Sequence, residues 1–211
     1  MLRLDAHTAP PNPVVQNYVI PPDNPFVGVA GTREEIYALG LRNPFRWGFD
    51  GISGTIYLGD VGASEFEEIN IVGPAKNYGW PITEGEACFI PSTGCDTTGI
   101  TFPIDIRSHS IEGAVAIVGG YVSLSSAVPE LYGMYVYGDA FGGQIWGLRY
   151  NGSVASDKTL LIDATGFAIY GFGRDAAGEV YVLDANGGGI WVLRPSAAQP
   201  PNDFPLKLSA I

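Results

Sequence analysis

The chain has 211 residues, of which 29 are glycine and 16 are proline, so these two types make up about a fifth of it against roughly 12% in an average protein. Such frequent chain breakers disfavour a helical bundle. Apolar residues account for 46% and charged residues for 16%, which supplies a buried core and excludes global disorder. No apolar run approaches the roughly 18 residues of a membrane-spanning helix. The net charge of −11 opposes nucleic-acid binding, which needs clustered Lys and Arg.

The beginning of the chain is rich in proline. Six prolines lie within residues 8–27, and they predict an extended surface loop because proline donates no backbone hydrogen bond. The first residues carry no charged segment followed by an apolar core, so no secretory signal is predicted there.

Three later segments share one pattern: a Gly, one variable residue, a β-prone run that contains Tyr, and an Asp six positions after the Gly. They are Gly54–Asp60, Gly133–Asp139 and Gly178–Asp184. The last two are followed by a Gly-rich turn and a second β-prone run, which predicts hairpins. The offsets of 79 and 45 residues fit two units and one unit of roughly 40–50 residues, a period typical of β-propeller blades.

These repeats predict an all-β fold, a partial β-propeller of about four blades at roughly 45 residues per blade. Residues 1–5 look like the last strand of a blade that has already begun, which predicts that the chain is part of a larger ring. We therefore predict a partial propeller over residues 1–195 and a C-terminal tail over residues 196–211. Helical turns are expected only near residues 32–38 and 128–131.

The two cysteines, Cys88 and Cys95, flank six residues that include Pro and Gly. Such turn formers allow a small disulfide ring, and free thiols are the alternative. Metal binding by these cysteines is disfavoured because the only histidines are His7 and His109. A disulfide would indicate an oxidising compartment, the periplasm or the cell exterior.

Several motifs occur in one order along the chain. Residues 35–47 read EIYALGLRNPFRW, residues 58–70 contain LGDVGA and EEIN, and residues 77–81 read NYGWP. The series continues with GGYV at 119–122 and YGD at 137–139. With this set the chain resembles, over nearly its whole length, the glucose/sorbosone dehydrogenase family of soluble quinoprotein sugar dehydrogenases. Domains of Hedgehog-interacting-type proteins belong to the same family.

The resemblance implies a six-bladed propeller that holds pyrroloquinoline quinone (PQQ) at one end of its ring, and this chain would be its C-terminal portion. In the family, calcium polarises the quinone, a His takes a proton from the anomeric hydroxyl of an aldose, and hydride passes to the cofactor. The family's proton-abstracting His precedes the matched region, so the chain alone is expected to be inactive. His109 is interpreted as a loop or pocket-rim residue.

The resemblance also assigns cofactor-binding residues. Arg42 would be the catalytic cation at the cofactor's carboxylates or a developing oxyanion, and Asn43 a neutral hydrogen-bond donor to the quinone. A surface ion pair with a neighbouring glutamate is the alternative for Arg42. Gly62 and Ala63 would bind the cofactor's calcium through their backbone carbonyls.

Glu68 and the carbonyl of Tyr78 match the family's second, structural calcium site. A solvated acidic edge and a core tyrosine are the alternative. Several family members place Lys or Arg from their last blades on the cofactor's carboxylates, whereas the turns at residues 139–141 and 170–173 contain neither. Arg174 is an imperfect substitute for them.

Two functions therefore compete: a calcium-assisted PQQ sugar dehydrogenase that oxidises an aldose, and a non-catalytic calcium-binding propeller module for a protein or glycan. The predicted partners of the enzyme are a small sugar and an external electron acceptor, with no nucleic acid and no membrane span. Exposed blade edges predict self-association. The expected location is periplasmic or extracellular.

Overall fold

The computed structural model describes residues 1–8 and 17–195, and the backbone of residues 206–210. Its regular structure is almost entirely β-strand, with one helical turn and one 3₁₀ turn in the described residues. In chain order the elements are β1 (Pro44–Phe49), β2 (Ile56–Asp60), β3 (Phe66–Val72), β4 (Thr83–Glu84), β5 (Ala87–Cys88), β6 (Asp105–Ser108), α1 (His109–Glu112), β7 (Ile117–Val122), the 3₁₀ turn (Pro129–Leu131), β8 (Tyr135–Asp139), β9 (Gln144–Tyr150), β10 (Ala155–Asp163), β11 (Ile169–Arg174), β12 (Val180–Asp184), β13 (Gly189–Pro195) and β14 (Leu206–Ala210).

The strands form four antiparallel sheets. Three have four strands each, in the orders β1-β2-β3-β6, β10-β9-β8-β7 and β11-β12-β13-β14, and the fourth is the β4-β5 hairpin. Strand β7 contacts both β1 and β11, so the first strand of each four-stranded sheet is innermost and the sheets follow one another around an axis. This arrangement confirms the prediction of an all-β, partial propeller. We call the three sheets blades 1, 2 and 3 in chain order.

The smaller elements agree with the sequence only in part. The 3₁₀ turn confirms the helical turn expected near residues 128–131. The one expected near residues 32–38 was wrong, because turns and isolated bridges occupy that segment. Helix α1 was not predicted; the Ser108 hydroxyl caps its start, and Gly113 in the left-handed region ends it. No helix among the described residues is long and apolar enough to cross a membrane.

Two predicted segments extend beyond the described residues. Of the proline-rich loop, residues 9–16 lie outside them, and residues 17–27 form bends, turns and an isolated bridge to Asp5. Of the tail, β14 pairs with β13 as the outer strand of blade 3, and the remaining residues after 195 lie outside the described part. The domain boundary at residue 195 stays a prediction.

Each repeated Gly–Asp segment contains the second strand of a blade. Its Gly has a φ between 73° and 83° in the three copies, a conformation that residues with a Cβ rarely adopt. Its Asp is the last residue of the strand and binds backbone N–H groups just before the innermost strand of the same blade. The pairs are Asp60 with Arg42 and Asn43, Asp139 with Val115 and Ala116, and Asp184 with Ala168.

The residue after each Asp completes this connection. Its N–H donates to the carbonyl of the residue that directly precedes the innermost strand, in all three blades. The repeat thus fastens two loops together at one end of each blade. We call these loops the rim; they are residues 42–43 and 61–66 in blade 1, 115–116 and 140–143 in blade 2, and 168 and 185–188 in blade 3.

Most of the core lies between the blades, and a smaller cluster lies between blade 1 and the loops beside it. Between blades 1 and 2 the rings of Tyr57 and Tyr135 stack at 4.4 Å, and Tyr135 stacks on Tyr137 at 5.6 Å. Between blades 2 and 3 the core consists mainly of branched aliphatic side chains, with Met134, Ala164 and Phe172. Near the axis, the backbones of blades 1 and 2 approach each other at Gly59 and Gly119, where no side chain separates them.

Cys88 and Cys95 form a disulfide with a Cα–Cα distance of 5.6 Å. Of the two alternatives that the sequence left open, a disulfide and free thiols, the structure thus shows the disulfide. Cys88 pairs with Thr83 across the β4-β5 hairpin, so the disulfide closes the loop that follows this hairpin.

Blades 1 and 3 each have a face that no described blade covers. Gly48 faces blade 2, and because side chains alternate along a strand, Trp47 and Phe49 point away from it and are 48% and 53% exposed. On blade 3, Leu183 and Ile190 are opposite each other on β12 and β13 and are 37% and 52% exposed. Both faces are therefore partly apolar, and that of blade 1 is covered in part by loops, since Leu58 is buried in a cluster with Ala38 and Tyr78.

Candidate functional site

Arg42 and Asn43 lie in the rim of blade 1, directly before β1. Their backbone N–H groups donate to Asp60 Oδ2 and Oδ1 at 2.9 and 2.6 Å. Asp60 is buried; burial raises the pKa of its carboxyl, and the two N–H bonds act in the opposite direction. The buried carboxylate thus fixes the backbone of this pair and leaves both side chains for other partners.

The Arg42 side chain does not form an ion pair with a neighbouring glutamate, which was the alternative to a cofactor-binding role. Arg42 Nη1 donates to the Val61 carbonyl at 3.0 Å, and the guanidinium lies over the Trp80 ring at 5.2 Å. Glu34 and Glu35 bind other groups, the Gly28 amide and the side chains of Tyr18 and Arg33. Among the described residues no carboxylate forms an ion pair with the Arg42 guanidinium, although its charge favours ionisation of the nearby Asp60.

The structure brings Gly62 and Ala63 next to this pair. Val61, which precedes them, donates its N–H to the Asn43 carbonyl at 3.1 Å. The four residues predicted to contact the cofactor therefore belong to two adjoining rim loops of one blade. Their contact with a cofactor stays a prediction.

Buried Glu67 holds the beginning of the Gly62 loop. Its Oε2 accepts the N–H groups of Gly62 and Ile117 at 3.2 and 2.8 Å, and its Oε1 is 2.7 Å from His109 Nε2. Burial raises the pKa of the Glu67 carboxyl, and these three donors oppose the rise. His109, the first residue of α1, thus lies against a buried glutamate that links blades 1 and 2. Its interpretation as a loop or pocket-rim residue stays a prediction.

Buried Glu84, on β4, holds the rest of that loop. Its Oε1 accepts four consecutive backbone N–H groups at 2.7 to 3.2 Å, and Ser64 Oγ donates to its Oε2 at 3.2 Å. Burial opposes ionisation of Glu84, but the four N–H groups together lower the pKa of its carboxyl. The four amides are those of Ala63, Ser64, Glu65 and Phe66.

Glu68, predicted as a calcium ligand, lies in an acidic and buried environment. Its Oε1 accepts the Gly85 N–H at 2.7 Å and its Oε2 accepts Asn70 Nδ2 at 3.0 Å. Burial raises the pKa of its carboxyl to about 7; the two donors oppose the rise, and the charges of Asp60 and Glu84 add to it.

Tyr78, the other predicted ligand of that site, is a buried core residue. Its hydroxyl donates to the Ile71 carbonyl at 2.6 Å and accepts the Gly73 N–H at 2.9 Å. The structure thus gives Glu68 and Tyr78 separate side-chain partners, and a calcium ion shared between Glu68 and the Tyr78 carbonyl stays a prediction.

Two observations fit a cation in this region. Asn70 Oδ1, on the side chain that binds Glu68, is buried without a hydrogen-bond partner, and an unpaired buried acceptor beside carboxylates suits a hard cation with oxygen ligands. A cavity of about 10 Å³, the size of one water, is lined by three carboxylates, those of Asp60, Glu68 and Glu84, and also by Arg42, whose positive charge opposes a cation there. In the described part of the chain, no three His, Cys, Asp or Glu side chains converge as a metal-ligand group.

The rim of blades 2 and 3 lacks basic side chains. Residues 140–143 and 185–188, all described, contain no Lys or Arg. Arg174 does not replace them, because it ends β11 far from the rim and donates to the Val122 carbonyl at 3.1 Å. Arg46 lies closer to the axis, in a cavity of about 240 Å³ between the innermost strands.

Sequence reasoning missed the groups that shape the rim. Asp60 belongs to a repeat that the sequence shows, and its role could have been inferred from the shared position of Asp139 and Asp184. Glu84 and Asn70 carry no such signal, because their partners are defined only by the folded loop.

The fold places the chain among the β-propeller proteins, and candidate cofactor-binding residues lie together in the rim of one blade. Sequence comparison identifies the family. The Glucose / Sorbosone dehydrogenase profile matches residues 14–193. The chain belongs to this family.

Relatives and solved structures agree with this assignment. The HIPL2 protein of Arabidopsis thaliana is 37% identical over 162 residues, which cover 69% of this chain and 23% of that protein. A glucose dehydrogenase crystal structure superposes with a TM-score of 0.66 at 26% identity, over 81% of this chain and 50% of that one. The PQQ-bound aldose sugar dehydrogenase of Streptomyces coelicolor shares the fold, with a TM-score of 0.58 at 18% identity over 92% of this chain and 51% of that one. The chain thus spans about half the length of these solved proteins.

Proposed function

We propose that this chain forms the cofactor-binding part of a calcium-assisted quinoprotein that oxidises an aldose at its anomeric carbon and passes the electrons to an external acceptor. The observation that carries the proposal is the rim of blade 1, where Arg42, Asn43, Gly62 and Ala63 adjoin one another. The family assignment and the PQQ-bound neighbour support it.

Each residue would contribute by position and charge. PQQ, when bound, accepts the hydride of the sugar. Arg42 would attract its carboxylates or stabilise a developing oxyanion, since no described carboxylate forms an ion pair with the guanidinium. Asn43 would donate a hydrogen bond from a backbone that Asp60 already fixes. The Gly62 and Ala63 carbonyls would bind calcium, and Glu68 and the Tyr78 carbonyl a second, structural calcium.

The proposal predicts that the chain binds PQQ in the presence of calcium with micromolar or tighter affinity. Arg42→Ala should weaken this binding about tenfold or more, because a charge-assisted contact to a carboxylate is lost. Isothermal titration calorimetry with PQQ measures both values. Arg33→Ala is the matched control, since Arg33 is an exposed arginine paired with Glu35 and should leave the affinity unchanged.

The same titration separates the second candidate function, a non-catalytic calcium-binding module. The absence of basic residues in the rim of blades 2 and 3 favours this candidate, because PQQ is a tri-anion. Calcium binding without PQQ binding would support the module and contradict the quinoprotein proposal.

We also propose self-association through the exposed apolar side chains on the faces of blades 1 and 3 that no described blade covers. Light scattering should then give a mass above that of the monomer, and Trp47→Ser should lower it because a half-exposed apolar side chain is removed. Ile111→Ser, at an 86% exposed position on α1, is the control. A compact, stable monomer would contradict the proposal.

The disulfide supports a location in an oxidising compartment, and we propose the periplasm or the cell exterior.

A further inference from the structure

We propose that Glu84 is a positioning residue that turns the Gly62 and Ala63 carbonyls toward a bound cation. The proposal deepens the proposed function, on which its cation role rests. Glu84 itself would not touch the cation; it would act through the backbone of the loop that it holds.

The argument starts from the planar peptide bond. In a trans peptide unit, the C=O of one residue and the N–H of the next point in opposite directions. The N–H groups of Ala63 and Ser64 point to Glu84 Oε1, at 2.7 and 2.8 Å. The carbonyls of the same two peptide units, those of Gly62 and Ala63, must therefore point away from Glu84. One carboxylate thus aims two successive carbonyls to the side opposite itself.

The carboxylate is the only described side chain that satisfies these amides, and it satisfies four of them at once. Consecutive N–H groups that converge on one anion form a concave anion-binding turn, and removal of the anion leaves its donors unpaired. A neutral amide at position 84 would keep one oxygen but lose the charge that binds four donors. The orientation of both carbonyls therefore depends on an ionised Glu84.

The position of Glu84 is itself well fixed. It is on β4, where Glu84 pairs with Ala87 and the adjacent Thr83 pairs with Cys88 of the disulfide. In the loop opposite, the Gly62 backbone lies so close to the Phe66 carbonyl that a Cβ on Gly62 would collide with it. A hairpin outside the three blades thus sets the geometry of a loop in the rim of blade 1.

Glu84→Gln tests the proposal, because it removes the charge with little change in shape. Glu86→Gln is the matched control: it makes the same change in the turn of the same hairpin, at an exposed residue. Backbone hydrogen exchange, read by mass spectrometry over residues 63–66, reports whether the amides are held. Calorimetric titration with calcium, in the presence of PQQ, reports whether the carbonyls bind the cation.

For Glu84→Gln we expect exchange at residues 63–66 to accelerate about tenfold or more and calcium affinity to fall about tenfold, as the loss of a charge-assisted hydrogen-bond set implies. Glu86→Gln should change neither. Unchanged exchange in Glu84→Gln would overturn the positioning role. Faster exchange with unchanged calcium affinity would overturn the link to the cation. Absence of calcium binding by the wild-type chain would contradict the proposed function, and with it the cation role, while the exchange result would still decide whether Glu84 holds the loop.

Discussion

Replacing Asp139 with alanine is expected to lower the free energy of unfolding by about 4 kcal/mol. The fully buried carboxylate accepts backbone N–H groups from both rim loops of blade 2: Val115 and Ala116 at 2.7 and 2.8 Å, and Phe141 and Gly142 at 2.9 and 2.5 Å. Alanine would leave four donors unpaired and a cavity beside them. Urea denaturation followed by tryptophan fluorescence measures the loss.

Asp163→Ala is the control for this prediction. Asp163 also ends a strand of blade 2, but it is exposed and accepts a hydrogen bond from the Thr165 hydroxyl at 2.8 Å. Its replacement should change stability by no more than about 0.5 kcal/mol. Similar losses in both variants would show that the rim loops do not depend on the buried carboxylate.

Replacing Gly119 with alanine is expected to destabilise the chain by about 3 kcal/mol. The added Cβ would collide with the Arg46 carbonyl and lie 2.9 Å from the Gly59 nitrogen. Both are backbone atoms of blade 1, so no flexible side chain can move aside, and blades 1 and 2 must separate near the axis. Thermal or urea denaturation would show the loss, together with weaker near-ultraviolet circular dichroism from the Tyr57–Tyr135 stack.

Gly173→Ala is the matched control, since Gly173 is also on an innermost strand. A Cβ there would meet one atom, Tyr181 Cβ at 4.0 Å, which is an ordinary contact. This substitution should be neutral or slightly stabilising, because glycine loses more backbone entropy on folding. If Gly173→Ala lost as much stability as Gly119→Ala, the cause would be the replacement of any glycine in an innermost strand. That result would contradict a role for the close approach between the blades.

The sequence predicted the structural features that residues close together in the chain determine. The Gly–Asp repeat revealed the blades because glycine at positive φ and a terminal Asp recur at fixed spacing. The disulfide could be anticipated, though not decided, from two cysteines around a turn. The family resemblance supplied Arg42 and Asn43, and the structure places them together with Gly62 and Ala63.

What the sequence did not predict depends on contacts between distant segments. Glu67 and His109 are 42 residues apart, and Glu84 binds amides about 20 residues before it, with no periodic pattern to connect them. Arg174 is close to the rim in sequence but leaves it in space, because a strand of six residues carries its end roughly 15 Å away. Such pairings need the register of the folded sheets.

The way in which the rim loops are anchored also affects which of their residues can be substituted during evolution. In all three blades the loops are anchored through backbone atoms by an Asp that comes from the adjoining strand, so their side chains have little part in the anchoring. Blade 1 displays Arg42 and Asn43 at this place, whereas blade 2 displays Val115 and Ala116. Mutation can therefore exchange these residues while the anchoring Asp is kept, and one architecture can carry polar and charged side chains in the rim of one blade and apolar side chains in the next.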